Sequence, residues 1–202
     1  MPEVRSALSG LAELQGGREP GSVPQVSIAE ITGRDLVQLA GWPDSFGNAA
    51  ARLAGLLSCE APRDTRSAIT AGETTLFMIG PERLWLAAPL ADGLGARLRG
   101  VFAPELAVVT ELGHSRTVLR IAGPASPGLL SRCIGLDLDP MAFPPEAFAQ
   151  TSLRQIGVLL HRTDDECFHL YLPRSYAAWL WHWLTEAVMP LMSGGGEHWF
   201  RS

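Results

Sequence analysis

The chain has 202 residues, 47% of them hydrophobic, so it can bury a substantial core as one compact body or as two small halves. Its formal net charge is −5, and all 16 basic residues are arginine, which excludes a lysine Schiff base and a Walker lysine. Because these arginines stand singly between acidic residues, no basic stripe can neutralise a run of phosphates. Nucleic acid is therefore not an expected partner.

Cysteine usage and the apolar runs indicate a cytoplasmic protein without a membrane span. Cys59, Cys133 and Cys167 are widely spaced and form no Cys-x-x-Cys pair, which is typical of reduced thiols. The stretch Met1–Leu14 carries charges and lacks the apolar region of a secretory signal. The apolar run Leu84–Leu90 is far shorter than a membrane-spanning helix.

Residues 1–24 are expected to form an N-terminal segment and linker. Residues 1–15 predict a short helix ending at Gly16-Gly17, and the Gly/Pro-rich stretch Gly16–Pro24 is typical of a linker. The folded domain is expected to span residues 25–192, with a C-terminal tail at 193–202.

The first half of the domain is predicted to contain strands, a helix, further strands and a second helix. Apolar alternation predicts strands at Val26–Ile31, Leu36–Ala40, Ser67–Ala71, Thr74–Ile79 and Leu84–Ala88. Pro43-Asp44-Ser45 offers an N-cap for a helix from about Phe46 to Ser58. Gly80-Pro81-Glu82 predicts a hairpin turn, and Asp92 is expected to cap a helix through about Phe102.

The second half repeats this order. Strands are predicted at Leu106–Leu112, Thr117–Ala122, Ser152–Leu160 and Cys167–Leu172. Gly113-His114 joins the first two strands. Ser126 is expected to be the N-cap, and Pro127 the first residue, of a helix to about Ile134. A proline-rich loop spans Asp139–Pro145, and the polar stretch Arg162–Glu166 predicts the turn before the last strand.

Landmarks recur along the two halves at a nearly constant offset. The matching pairs are Gly41 with Gly123, Trp85 with His169 and Arg97 with Trp181. A repeat of about 80 residues buries its sheet face only when helices cover it or the other half packs on it. The sequence therefore predicts an α+β fold of two pseudo-repeated strand-helix-strands-helix halves, about 25–103 and 104–192, with mostly antiparallel sheets and helices packed on them.

The short motifs that suggest catalysis or cofactor binding each fail on spacing. Asp92-Gly-Leu-Gly95 is followed by Leu98 where a dinucleotide-binding turn has its third glycine. The serine of Gly123-Pro-Ala-Ser-Pro-Gly128 is displaced by one position from a nucleophile elbow. The five histidines form no i, i+4 pair, and Asp164-Asp165-Glu166 is typical of a solvated turn. We therefore predict no catalytic, cofactor-binding or metal-binding residue in this chain.

The most informative stretch is a strand, a turn and a tryptophan-rich helix near the C-terminus. The strand carries alternating Phe168, Leu170 and Leu172. Pro173 then ends the ladder, and Ser175 is expected to cap the helix that follows.

Three tryptophans in this helix, at every second position, cannot all be hidden on one face. Either two helix faces meet the two halves of an internal core, or one or two indoles enter a pocket of a partner protein. Aromatic residues in the C-terminal tail favour the partner hypothesis. The candidate interface residues are Arg174, Tyr176, Trp179, Trp181, Trp183, Trp199 and Phe200.

This part of the chain resembles the gamma subunit family of heterotetrameric sarcosine oxidase. The resemblance is most specific over Thr117–Leu184, and the first half is similar only in pattern. Its elements are Leu119-Arg-Ile-Ala-Gly-Pro124, the Leu129–Cys133 helix, Gly157-Val-Leu-Leu-His161 and the proline-arginine-serine turn with its aromatic helix.

The resemblance implies a complex with alpha, beta and delta subunits that oxidatively demethylates sarcosine. It places FAD, FMN, NAD, tetrahydrofolate and zinc in the partner subunits and none in this chain. It also implies a fold similar to the folate-binding domain of the glycine cleavage aminomethyltransferase. We expect a non-catalytic subunit that supports assembly of that complex. The alternatives are a gamma-type subunit of a complex acting on dimethylglycine or N-methylglutamate, and a stand-alone folate-binding protein.

Overall fold

A computed structural model describes residues 6–10, 14–16, 24–91 and 93–192. Within these ranges the chain is α+β, as predicted, with two antiparallel sheets. The strands are β1 (Leu14–Gly16), β2 (Val26–Ile31), β3 (Arg34–Gly41), β4 (Ile69–Ala71), β5 (Thr74–Gly80), β6 (Arg83–Pro89), β7 (Ala107–Glu111), β8 (Arg116–Ala122), β9 (Phe148–Leu153), β10 (Ile156–Asp164) and β11 (Cys167–Pro173). The α-helices are α1 (Phe46–Leu56), α2 (Leu94–Val101), α3 (Ser126–Ser131) and α4 (Ala177–Met192), with a 3₁₀ turn at Arg174–Tyr176.

The predicted succession of strand, helix, strands and helix occurs twice in the described residues. It runs β3-α1-β4-β5-β6-α2 and again β8-α3-β9-β10-β11-α4. A further strand lies immediately before each copy, β2 before the first and β7 before the second. We call Val26–Val101 the first repeat and Ala107–Met192 the second repeat.

One compact unit, unit 2, comprises Thr32–Arg116 and Glu146–Gln150. Its sheet has the strand order β4-β5-β6-β3-β7. Helix α1 packs Phe46, Ala49, Ala50 and Leu53 into the apolar cluster on one face of this sheet, together with Leu39. Their spacing at i, i+3, i+4 and i+7 gives the helix one apolar stripe, which explains why this helix is predictable from sequence.

The other compact unit, unit 1, comprises the described parts of Met1–Ile31, Thr117–Pro145 and Thr151–Ser202. The six-stranded sheet has the order β1-β2-β8-β11-β10-β9. Ile28 on β2 pairs with Ile121 on β8, and both side chains are fully buried. Strand β11 pairs antiparallel with β10 and buries Phe168, Leu170 and Leu172, as their alternation predicts.

The compact units are not two consecutive stretches of chain, because each repeat places one strand in the sheet of the other. Strand β2 belongs to the first repeat but pairs with β8 of the second repeat. Strand β7 belongs to the second repeat but pairs with β3 of the first repeat. The turn at Gly113-His114 joins β7 and β8, as predicted, but these two strands belong to different sheets.

The N-terminal helix predicted for residues 1–15 is wrong where the structure describes the chain. Residues 7–10 form turns, and Leu14–Gly16 pair with β2 as a strand. The backbone N–H of Ala7 donates to the Glu30 carboxylate at 3.2 Å. The Glu30 side chain on β2 therefore accepts a hydrogen bond from a backbone N–H that does not take part in a helix.

Two errors concern the strands of the second half. The single strand predicted for Ser152–Leu160 is two strands, β9 and β10, joined at Arg154-Gln155. The polar turn predicted for Arg162–Glu166 is shorter, because β10 continues through Arg162 to Asp164.

Helix starts are also formed differently from the predictions. Ser45 precedes α1, but its hydroxyl donates to the Leu106 carbonyl at 2.7 Å instead of capping the helix. Ser126 lies inside α3, and its hydroxyl donates to the Glu166 carbonyl at 2.9 Å. Asp92 lies outside the described residues.

Candidate functional site

The C-terminal aromatic helix is built on the end of β11. Pro173 has an extended backbone with φ −61° and ψ 130°, as expected for a residue that ends a ladder. The chain then makes one 3₁₀ turn, Arg174–Tyr176, before α4 begins at Ala177. Ser175 lies within this turn, so the N-cap predicted for it is wrong.

Helix α4 separates its three tryptophans onto different faces. Trp181 is buried, with 6% of its surface exposed, on the face that also buries Leu180 and Leu184. Trp179 is 50% exposed. Trp183 is only partly buried, and the Arg154 guanidinium lies over its ring, 5.2 Å from the centroid.

The predicted interface residues that the structure describes fall into three groups. Tyr176 and Trp179 are both about half exposed, at 49% and 50%. Arg174 and Trp183 are partly buried. Trp181 faces the interior of its own unit, so its indole presents no surface to a partner, and we remove it from the candidate interface. Trp199 and Phe200 lie outside the described residues.

Arg154 is an interface candidate that the sequence did not reveal. It forms the tight β9–β10 turn with Gln155, and both have positive φ angles, 50° and 70°. Such turns strongly favour Asn-Gly, which explains why a turn without glycine or proline was merged into one strand. The turn brings the Arg154 guanidinium over Trp183.

Arg162 is the second residue that sequence reasoning misplaced. Its side chain is 1% exposed, and its guanidinium donates to backbone carbonyls. Nη1 donates to Phe143 at 2.7 Å and to Leu138 at 3.1 Å. Nε donates to Asp164 at 3.3 Å, and Nη2 donates to Asp165. The guanidinium also lies 5.3 Å from the centroid of the Phe168 ring.

These contacts give Arg162 a structural role. They join the proline-rich loop at Asp139–Pro145 to the β10–β11 hairpin, within unit 1. No local pattern in the sequence indicates this, because the acceptors are main-chain oxygens, and those of Leu138 and Phe143 lie in a part of the chain before β9.

The cysteines are free thiols in a partly buried setting. Burial raises the pKa of Cys133 to about 11, and nearby Arg132 and Arg154 only partly oppose this increase. The Cys133 thiol donates to the Leu129 carbonyl at 2.9 Å. A thiol with this pKa is overwhelmingly protonated at neutral pH and is a poor nucleophile.

The histidines and acidic residues do not converge on a metal site in the part of the chain that the structure describes. His161 and His169 are cross-strand neighbours on β10 and β11, with ring centroids 6.2 Å apart in an edge-to-face arrangement. Among the described helices, none is both long and apolar enough to cross a membrane.

Known structures first define the class of fold. The glycine cleavage aminomethyltransferase T of Bartonella henselae superposes with a TM-score of 0.57 over 78% of this chain and 44% of that chain, at 19% identity. The heterotetrameric sarcosine oxidase from Corynebacterium sp. U-96, in complex with pyrrole 2-carboxylate, contains a more similar chain. It has a TM-score of 0.77 and 28% identity, covering 85% of this chain and 88% of that chain.

Sequence comparison then defines the family. The model of the "Sarcosine oxidase, gamma subunit family" matches residues 44–189. The sarcosine oxidase subunit gamma of Arthrobacter sp. is 31% identical over 94% of this chain and 92% of its own length. That of Corynebacterium sp. (strain P-1) is 30% identical over the same shares. The chain belongs to the sarcosine oxidase gamma subunit family, which confirms the resemblance found in the sequence.

Proposed function

We propose that this chain is the gamma subunit of a heterotetrameric sarcosine oxidase and supports assembly of a complex that oxidatively demethylates sarcosine. The observation that carries the proposal is the extent of the similarity. Gamma subunits of two bacteria match 94% of this chain and 92% of their own lengths. The similarity therefore extends over nearly the whole of both chains rather than over a single shared motif.

The partners in this proposal are the alpha, beta and delta subunits, in the cytoplasm. They would hold FAD, FMN, NAD, tetrahydrofolate and zinc, while this chain would hold no cofactor. The folded domain would comprise residues 25–192, flanked by an N-terminal segment and a C-terminal tail.

This chain would contribute no group to the oxidation itself. Its partly buried Cys133 supports this, because a thiol with a pKa raised to about 11 is protonated at neutral pH. The buried Arg162 supports it as well, since its donors are directed at main-chain carbonyls.

Co-expression with the other three chains of the same organism tests the proposal. We expect this chain to copurify with them at equal stoichiometry, to give a flavin absorption spectrum and to consume oxygen when sarcosine is added. The purified chain alone should show neither flavin absorbance nor amine oxidation. Oxidation of sarcosine by the isolated chain, or failure to copurify, would contradict the proposal.

The same preparation separates the alternatives. Assaying the assembled complex with sarcosine, dimethylglycine and N-methylglutamate identifies the preferred amine. Titrating the isolated chain with tetrahydrofolate tests stand-alone folate binding. Micromolar affinity in that titration would favour a folate-binding protein over an assembly subunit.

A further inference from the structure

The exposed apolar side chains of unit 1 are concentrated at the start of α4. Among the described residues of this unit, Tyr176, Trp179 and Met141 are the large hydrophobic residues that are strongly exposed. Tyr176 and Trp179 are three positions apart, and Trp183 follows Trp179 by one helical turn. Together with Arg154 they form what we call the aromatic–arginine surface.

Arg154 gives this surface a positive charge on an otherwise acidic chain. Its guanidinium lies 5.2 Å from the centroid of the Trp183 ring, and no carboxylate of the described residues forms an ion pair with it. Arg154 is exposed, so its guanidinium can present a fork of N–H donors to a partner. Such a fork matches a carboxylate in bidentate geometry.

The turn that carries Arg154 is held in a costly conformation. Two consecutive residues that are not glycine have positive φ angles there. Asn-Gly would form the same turn at lower cost. The cost is consistent with a requirement for the arginine itself at this position.

We propose that the aromatic–arginine surface docks another subunit of the complex through a carboxylate flanked by apolar side chains. The inference rests on the proposed function and adds the contacting residues and the chemistry of the partner. Tryptophan, tyrosine and arginine are the residues that most often dominate binding energy at interfaces. The partner's apolar groups cover Tyr176 and Trp179, and its carboxylate pairs with Arg154.

Binding of full-length variants to the complex of the other three subunits tests the docking surface. Trp179→Ala is expected to raise the dissociation constant roughly 30-fold or more. Trp42→Ala is the matched control, because Trp42 is 57% exposed but lies in unit 2. It should change the dissociation constant less than about twofold. Unchanged thermal unfolding midpoints verify that both variants fold.

A second pair of variants tests the chemistry of the partner. Arg154→Gln should weaken binding about tenfold and make it less sensitive to salt, because the charge pair is removed. Arg120→Gln changes another exposed arginine and should leave both properties unaltered. Weaker binding with unchanged salt dependence would overturn the carboxylate assignment.

The outcomes distinguish this inference from the proposed function. If the wild-type chain does not bind the other subunits, the proposed function fails. If it binds, and Trp179→Ala and Arg154→Gln bind as tightly, the docking surface is wrong while the proposed function stands. Equal weakening by Trp42→Ala and Trp179→Ala would also overturn the surface.

Discussion

Arg162 shows how a single buried charge can fix a loop. Its donors reach four main-chain carbonyls, and it is 1% exposed. Hydrogen bonds from a charged donor are stronger than neutral ones, and acceptors left unsatisfied in the interior are costly. Arg162→Met should therefore lower the free energy of unfolding by about 3 kcal/mol, measured by urea denaturation.

An exposed arginine supplies the control for this prediction. Arg120→Met should stay within about 0.5 kcal/mol of the wild-type stability, because surface substitutions rarely do more. Equal stability of Arg162→Met and the wild-type chain would contradict the structural role of Arg162. Sequence reasoning missed this role because Arg162 stands beside Asp164-Asp165-Glu166, and such a polar run is ordinarily solvated.

Cys133 makes a prediction about pH. Burial raises its pKa from the usual value near 9 to about 11, so the thiolate fraction at pH 8 should be about a hundredfold lower than for an exposed cysteine. Alkylation of Cys133 by iodoacetamide, followed by mass spectrometry, should accelerate about tenfold per pH unit from pH 8 towards pH 11.

Unfolding gives the internal control for Cys133. In urea the thiol is solvated, and alkylation at pH 8 should be far faster than in the folded chain. The raised pKa of Cys133 also affects the free energy of unfolding. This free energy should fall between about pH 9 and pH 11, because the unfolded chain binds fewer protons than the folded chain in that range. Equal alkylation rates in the folded and unfolded chains at pH 8 would contradict the assigned burial.

At the scale of elements, Gly123 determines how β8 leads into α3. Its φ is 117°, and a Cβ there would lie 2.5 Å from the Gln25 carbonyl oxygen. Gly123→Ala should destabilise the chain by about 3 kcal/mol, because this backbone conformation is unfavourable for alanine and the added Cβ would clash with the Gln25 carbonyl. A Cβ at Gly128 in α3 would have no atom within 4 Å, so Gly128→Ala should stabilise by about 0.5 to 1 kcal/mol. Thermal unfolding of the two variants checks both signs, and a milder effect at Gly123 than at Gly128 would refute the argument.

Elements with a clear period were predictable, and those formed by distant partners were not. The stripe of α1 and the alternation of β11 follow from local spacing. The β9–β10 hairpin was missed because Arg154-Gln155 lacks the usual turn residues. Ser175 and Ser126 were assigned as caps, yet the first lies in a 3₁₀ turn and the second bonds to Glu166. The candidate surface was found in part: Tyr176 and Trp179 are exposed, whereas Trp181 is buried and Arg154 was overlooked.

At the scale of the whole molecule, the repeat was detectable but the exchange of strands was not. Matching residues of the two halves are separated by a nearly constant number of positions. This spacing reflects the order of helices and strands, which is the same in both repeats. Strand pairing depends on which edges meet in space, and the alternation of β2 and β7 is compatible with either sheet. Each repeat therefore contributes a strand to the unit formed mainly by the other repeat.

This exchange predicts crossed effects on local stability. Ile28 in the first repeat is fully buried against β8, so Ile28→Ala should reduce amide protection mainly in β8 and β11 of the second repeat. Val109 in the second repeat pairs with Leu39, so Val109→Ala should reduce protection mainly in β3 and β6 of the first repeat. Hydrogen exchange with mass spectrometry on the full chain measures both patterns.

The two substitutions control for one another, since each removes apolar volume from an exchanged strand. Loss of protection within the substituted repeat, rather than across to the other repeat, would show that the repeats fold as consecutive halves.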